Sequence, residues 1–441
     1  SELPEWFQLL THYYDIEKIF SHEETWNNIS FKRDIRVWDW CKNSEISLQE
    51  FPTNGVVRRL KSRDVWSKIW NKRMKENIFQ AQKIIRPLVV SLSLQQISDE
   101  KWRYYNKKYL IHPNLQQGGE DVGKKVLSDF LRHRSKNYSY HISKPYESRD
   151  SCSRLSPYIT YGCLSVKYIY KETQKRREEL AKLPWESGKS RIQQLDFFLS
   201  RLHWQSHFIQ KLEDQPSIEW KNLNPEFDTI RTVNNTLLIE KIFRAQSGIP
   251  YIDATMKQLQ LTWWCNFRSR AILTSFLCNT CMLSWQSIGP RLAKLFLDYE
   301  PGIHYSQLQM QSGTSGINTI RIYNPILNGK EKDGEWNFIK AFLPDLAGIP
   351  HEYIHEPWKY ERFKELNYPS PIIDIVEANK NARKILWETK WNTSHKIKQK
   401  IFQKHGSRVF RGKKVKTGNL KANTPTEKIK KWDIYLQMSL F

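Results

Sequence analysis

From residue 119 to about residue 300, apolar side chains recur at three- and four-residue spacing, with few strand-like alternations. The pattern predicts helices over Val122–Arg134, Leu164–Leu180, Ile192–Leu212, Asn235–Gln246, Ile252–Leu261, Arg268–Leu283 and Pro290–Tyr299. Each helix so patterned carries one apolar stripe, which must be covered by another helix. Such a run folds as a helical domain, and a sandwich or barrel is excluded for it. The chain has 441 residues, too many for one compact core, so two or three units are expected. Its 39% hydrophobic content excludes wholesale disorder. No run of about 18 apolar residues is present, so no transmembrane helix and no membrane partner are expected. The opening Ser1-Glu2-Leu3-Pro4 has neither a basic nor an apolar leader region, so no signal peptide is expected; the missing initiator Met suggests processing or truncation.

Ahead of the helical domain the chain alternates. A helical pattern over Glu5–Tyr13, a strand over Ile16–Phe20, a helix over Asn27–Cys41 and a strand over Leu48–Phe51 read as a parallel α/β unit over 1–52. Two strands make a poor sheet, so this is expected to be the end of a domain whose first strands are missing. Residues 53–118 read as a connector crossing between domains and helical in part, basic and Trp-bearing over Val56–Met74, and residues 119–397 as the helical domain. Residues 398–441 are rich in Lys and are expected to form a basic tail, mobile or draped over the surface, with Trp432–Phe441 apolar enough to dock.

Lys and Arg outnumber Asp and Glu by 70 to 46, a net charge of +24. That excess attracts polyanions and predicts salt-sensitive binding to nucleic acid. The 18 Trp, 20 Tyr and 20 Phe supply rings for base stacking, although most must serve as core. Six cysteines are too few for a disulfide scaffold, so a reducing cytoplasm is the expected location, with nucleoid association if the source is prokaryotic. Cys278 and Cys281 form a CxxC pair inside an apolar run; without further ligands nearby they read as buried thiols, and no metal site is expected. A monomer is expected.

Three segments carry chemistry. In Cys152-Ser153-Arg154-Leu155-Ser156-Pro157, Ser156 reads as an N-cap followed by Pro at the first helical position. Free N–H groups there, with the Ser153 hydroxyl, suit an anion such as a diphosphate. Arg270 lies inside an apolar helix, where an unpaired cation is costly; Asp298 is the plausible partner, and a purely structural ion pair is the other reading.

The strings Ser-Arg-Leu-Ser-Pro-Tyr at 153–158, Gly-Ile-Pro-Tyr-Ile-Asp-Ala-Thr-Met-Lys-Gln-Leu at 248–259 and Arg-Ile-Tyr-Asn-Pro at 321–325, in that order, resemble the flavin domain of the photolyase/cryptochrome family. The resemblance implies a mainly α fold: a helical FAD-binding bundle preceded by a partial, Rossmann-like α/β domain. It implies FAD as cofactor and leaves a second, antenna chromophore doubtful, because the sheet that helps house it is incomplete. It assigns Tyr140, Cys152, Ser153, Arg154, Leu155, Ser156, Phe267, Arg270, Asp298 and Glu300 to the cofactor. It assigns Arg201, Trp204, Gln205, Arg268 and Met310 to a DNA-facing cavity, with damaged duplex as the partner. Trp204, where DNA-repairing members stack a Trp on the lesion, has an ordinary core Trp as its other reading. Trp285, Trp264 and His304 are the catalytic candidates; Trp264, Trp285 and Tyr323 are candidate stations of an alternative electron route, with core aromatics and chemical reduction of the flavin as the other reading.

Several positions depart from the family pattern. Arg201 stands for a Glu that bonds the dimer, Phe267 for an Asn facing the flavin, His304 for another Asn, Met310 for a cavity Trp and Ala271 for a Met. Of the Trp relay, Trp285 keeps the middle place; Leu308 takes the flavin-proximal one and Thr232 the distal one. The implied function is light-driven repair of pyrimidine lesions by electron transfer from reduced flavin, with a blue-light receptor lacking repair as the alternative. A remnant that binds flavin or DNA without light chemistry is a third reading.

Overall fold

A computed structural model of the chain describes residues 3–79, 114–231 and 235–406. The first unit holds the helix Leu3–Thr11, the strand Lys18–His22, the helix Asn28–Asn43 and the strand Ser47–Phe51. The strands pair in parallel, in register from Lys18 opposite Ser47 to His22 opposite Phe51. Asn27 starts the second helix by accepting the Ser30 N–H, the Asx cap that satisfies an otherwise orphaned donor. This small parallel sheet fits a partial α/β domain.

Ser62 caps the helix Arg63–Lys75, which buries Trp66, Trp70 and Met74 in the same core as Phe130, Leu195 and Phe198. The connector, expected to be helical in part, thus has a helix here whose buried side chains join the core of the helical body. The Trp66 indole N–H donates to the Gly55 carbonyl at 2.9 Å. A Cβ at Gly55 would stand 1.9 Å from the Trp70 ring, so only glycine fits that approach. Most of the remaining connector lies outside the described residues.

The body is built on the 30-residue helix Trp185–Asp214, which packs against Val166–Ala181 on one side and Pro301–Gln311 on the other. At the second contact a Cβ on Gly302 would lie 2.5 Å from the Ile209 Cα, so the glycine sets how closely these helices approach. A second core gathers Tyr251, Phe276, Trp285 and Phe338. No helix among the described residues is long and apolar enough to cross a membrane.

Three expected elements are corrected. The helix expected over Arg268–Leu283 is an α-helix only over Phe267–Ser275, followed by a π turn over Phe276–Thr280. The carbonyl of Cys278 and the amide of Asn279 turn to meet the Arg231 guanidinium, at 2.6 and 2.8 Å, and that partner lies far away in sequence. The helix expected over Pro290–Tyr299 is instead Trp285–Ala293. Ser284 caps it by accepting the Gln286 N–H, so the helix begins before the proline and carries Pro290 inside. Residues 398–405, expected to belong to a tail that is mobile or draped over the surface, lie in the helix His395–His405. It buries Ile401 and His405, and the His405 ring meets the Gln215 amide oxygen at 2.9 Å. Residues 407–441, including Trp432–Phe441, lie outside the described residues.

Cys278 and Cys281 are free thiols, as expected of buried structural cysteines, and burial pushes the Cys278 thiol up to about 12. No group of side chains suited to hold a metal ion is found among the described residues.

Candidate active site between the bundle helices

The helices Trp185–Asp214, Phe267–Ser275 and Pro301–Gln311, closed by the segment 152–156, surround a cavity of about 380 Å³. At one end the chain reverses at Arg154, whose φ of 58° lies in the left-handed region. The Arg134 guanidinium holds this loop through the carbonyls of Cys152 and Ser153. Ser156 is not the N-cap: the five-residue helix Ser156–Thr160 is capped at Leu155 without any side-chain bond. The turn begins one residue earlier than the Ser-Pro pair suggested, which leaves the Ser156 hydroxyl on the cavity wall. Arg154 stacks 3.9 Å over the Trp264 ring, and burial pushes its pKa down to about 10 despite nearby Asp298.

Halfway along, Arg270 donates from one nitrogen to both oxygens of Asp298, at 2.9 and 3.1 Å, and from Nε to the Cys265 carbonyl at 3.0 Å. Burial opposes the charge on Arg270, but Asp298 and Cys265 outweigh it and hold the guanidinium above its usual pKa. About a quarter of the Arg270 side chain (26%) still opens to the cavity. Glu300 caps the helix Pro301–Gln311 by accepting the Gly302 N–H at 3.4 Å. Burial pushes its carboxyl up to about 8, and Glu24 adds to the shift. Burial also pushes His304 down to about 4, so its imidazole is neutral, with Nε2 donating to the Gly289 carbonyl at 3.0 Å.

The other end is basic and aromatic. Arg201, Trp204 and Gln205 stand one helical turn apart on Trp185–Asp214 and face the cavity together. Trp204 stacks on Phe208 at 5.9 Å. Arg268 donates to the Tyr323 hydroxyl at 2.8 Å and lies 5.1 Å from the Phe267 ring. Met310, Ala271 and Leu308 complete this wall.

Of the expected site residues, two fall outside the lining. Tyr140 is 68% exposed on the one-turn helix Tyr138–His141, and Tyr138, two residues earlier, is buried and lines the cavity instead. Two residues along a helix turn the side chain through about 200°, so the wrong choice of tyrosine points away. Trp285 is buried behind the wall, 6.1 Å from the Tyr305 ring, with its indole N–H donating to Asn222 at 2.6 Å. Thr232 lies outside the described residues. Residues not foreseen on the wall include Phe198, Tyr299 and Arg321. Phe198 was within reach of the sequence, three residues before Arg201 on the same helical face.

The lining fits a bound FAD. Ser153, Ser156 and Arg154 offer donors to a diphosphate, Arg270 with Asp298 offers a polar edge to a flavin ring, and Tyr138, Phe198 and Trp264 supply an apolar wall.

Residues 198–388 match the family model for the FAD binding domain of DNA photolyase. The deoxyribodipyrimidine photo-lyase of Streptomyces griseus is 29% identical over 272 residues, covering 61% of this chain and 56% of that protein. The cryptochrome DASH of a Synechocystis strain is 26% identical over 286 residues, 61% of this chain and 55% of its own. The chain thus spans little more than half the length of these curated relatives. Among solved structures, a bacterial class III photolyase from Agrobacterium tumefaciens superimposes with a TM-score of 0.68 at 20% identity, over 89% of this chain and 83% of that one. With three motifs in order, a cavity whose lining fits a flavin and a fold shared with solved photolyases, residues 198–388 are similar to the FAD binding domain of DNA photolyase, and the chain as a whole shares the photolyase fold.

Proposed function

We propose that this chain is the flavin-bearing part of a light-driven DNA lyase that repairs pyrimidine lesions in damaged duplex. The observation that carries the reading is a single cavity with two unlike ends. One end holds the hydroxyl and arginine donors of 152–156, the Arg270–Asp298 pair lies halfway along, and the other end carries Trp204, Gln205 and Arg268. Bound FAD would supply an excited-state electron. Ser153, Ser156 and Arg154 would hold its diphosphate, and Arg270 would present positive charge beside the ring while Asp298 fixes its direction. The neutral His304 keeps its proton on Nε2 toward Gly289 and adds no charge to that wall. Trp204 would carry a flipped base by stacking, since chemistry on a stacked base requires the base out of the helix. Action as a cytoplasmic monomer completes the reading; a second antenna chromophore is not part of it.

A lesion-bearing oligonucleotide, mixed with the reduced protein under blue light, should be restored to intact strand. Trp204→Ala should lower the preference for lesion over intact duplex by about ten-fold, with little change on intact duplex. Equal losses on both duplexes would make Trp204 a core residue. The second reading, a blue-light receptor without repair, is favoured by Arg201 and Phe267, which differ from the dimer-reading pattern; unrestored lesion with light-dependent flavin reduction would select it.

A further inference from the structure

The lining of the cavity carries more positive charge than a flavin accounts for. Five arginines line it, Arg154, Arg201, Arg268, Arg270 and Arg321, against the two acids Asp298 and Glu300. Asp298 is engaged by Arg270. Glu300, raised by burial to about 8, is mostly protonated near neutrality. A diphosphate at 152–156 would offset charge at its own end and leave the other end of the lining positive.

Arg201 is the centre of that surplus. Its guanidinium lies 4.5 Å over the Phe197 ring, and its hydrogen bonds go only to the hydroxyl of the adjacent Ser200, at 3.2 and 3.1 Å, among the described residues. Burial, its main perturbation, pulls the pKa to about 10, and the one titratable neighbour that favours its charge is the Tyr138 phenol rather than a carboxylate. A largely buried cation without a counter-ion is costly, and an arriving anion recovers that cost. Arginine is also a donor only: five N–H groups and no acceptor, in a fork that matches paired oxygens. It cannot accept the ring N–H of a pyrimidine, as a carboxylate at the same place would.

Resting on the reading of the cavity as a nucleic-acid site, we propose that the second occupant offers a phosphate group to Arg201 while its base lies on Trp204. The ligand class is a nucleotide or strand segment recognised through an anionic oxygen pair, with the neutral nucleoside discriminated against. The phosphate can be a terminal monoester or an internal diester, and the two are separable.

The test is calorimetric titration of the full chain, with and without FAD, using four probes: thymidine, thymidine 5′-monophosphate, the dinucleotide TpT and its uncharged methylphosphonate analogue. Charged probes should bind about ten-fold or more tightly than their neutral counterparts, the range expected for hydrogen bonds to a charged group. Preference for the monophosphate over thymidine identifies a terminal phosphate; preference for TpT over the methylphosphonate identifies an internal one. Arg201→Gln should bring the ratio close to one, and Arg201→Lys should recover part of it. Because Arg201→Gln changes one cation among 70, a ratio that survives it reflects diffuse surface charge and overturns the proposal, as does equal affinity in the parent. Flavin absorbance in each variant reports folding. A parent that takes up no FAD would refute the flavin reading while leaving the phosphate ratio measurable.

Discussion

At the scale of single residues, the Arg270–Asp298 pair shows how partial exposure changes an energetic argument. Breaking a fully buried pair costs about 3–5 kcal/mol, and a surface pair is worth at most about 1 kcal/mol. Here Asp298 is buried and about a quarter of Arg270 opens to the cavity, so Asp298→Ala is expected to cost about 1–3 kcal/mol. It should also release FAD, read as a lower melting temperature of the flavin-free protein and loss of flavin absorbance on gel filtration. An unchanged melting point with full FAD retention would remove both roles from the pair. Glu300 gives a pH dependence. Its carboxyl is raised to about 8 in the folded chain, against an ordinary value near 4.3. Between those values the folded state holds a proton that the unfolded state has released, so stability falls as pH rises through the window, by up to about 1.4 kcal/mol per unit. Glu300→Gln keeps an acceptor for the Gly302 N–H and should flatten that slope between pH 5 and pH 8, roughly the interval between the two values. An identical slope in parent and variant would show that Glu300 titrates normally.

At the scale of elements, the helix Pro301–Gln311 places Glu300 at its start and His304 and Leu308 one turn apart on the cavity wall. Leu308 lies between the cavity and the neighbourhood of Trp285, and it has no π-system through which an electron could hop. Light-driven reduction of bound FAD by an external donor is therefore expected to be slow in the parent and several-fold faster in Leu308→Trp, with Trp285→Phe in the same background removing the gain. A gain that persists without Trp285 would exclude that indole as a station; no gain at all would show that the leucine is not limiting. A Cβ on Gly289 would already come within 3.0 Å of the Leu308 side chain, so the larger ring must displace packing, and melting temperature needs to be followed alongside.

At the scale of the whole molecule, the net charge of +24 predicts that DNA affinity falls steeply with salt, by about a thousand-fold or more between 50 and 200 mM if six or more phosphates are neutralised. Filter binding or fluorescence anisotropy on an undamaged duplex reads the slope, and affinity independent of salt would reduce the charge to a solubilising role.

The periodicity over 119–300 determined by itself that this part is helical, because a 3.6-residue repeat of apolar side chains can be buried in no other way. The motif strings pointed to a photolyase-type flavin domain and, through it, to many of the residues that line the cavity. What the sequence could not decide depends on partners far along the chain. Arg231 meets the carbonyl of Cys278 within the π turn, and His405 meets Gln215 from a helix that local composition alone read as tail. The choice between Tyr138 and Tyr140 rests on the angle at which one short helix meets the bundle, and spacing within a motif does not encode that angle. Only the tertiary structure showed that Arg201 faces the cavity without a carboxylate beside it, because charge balance belongs to a volume in space and not to a stretch of sequence.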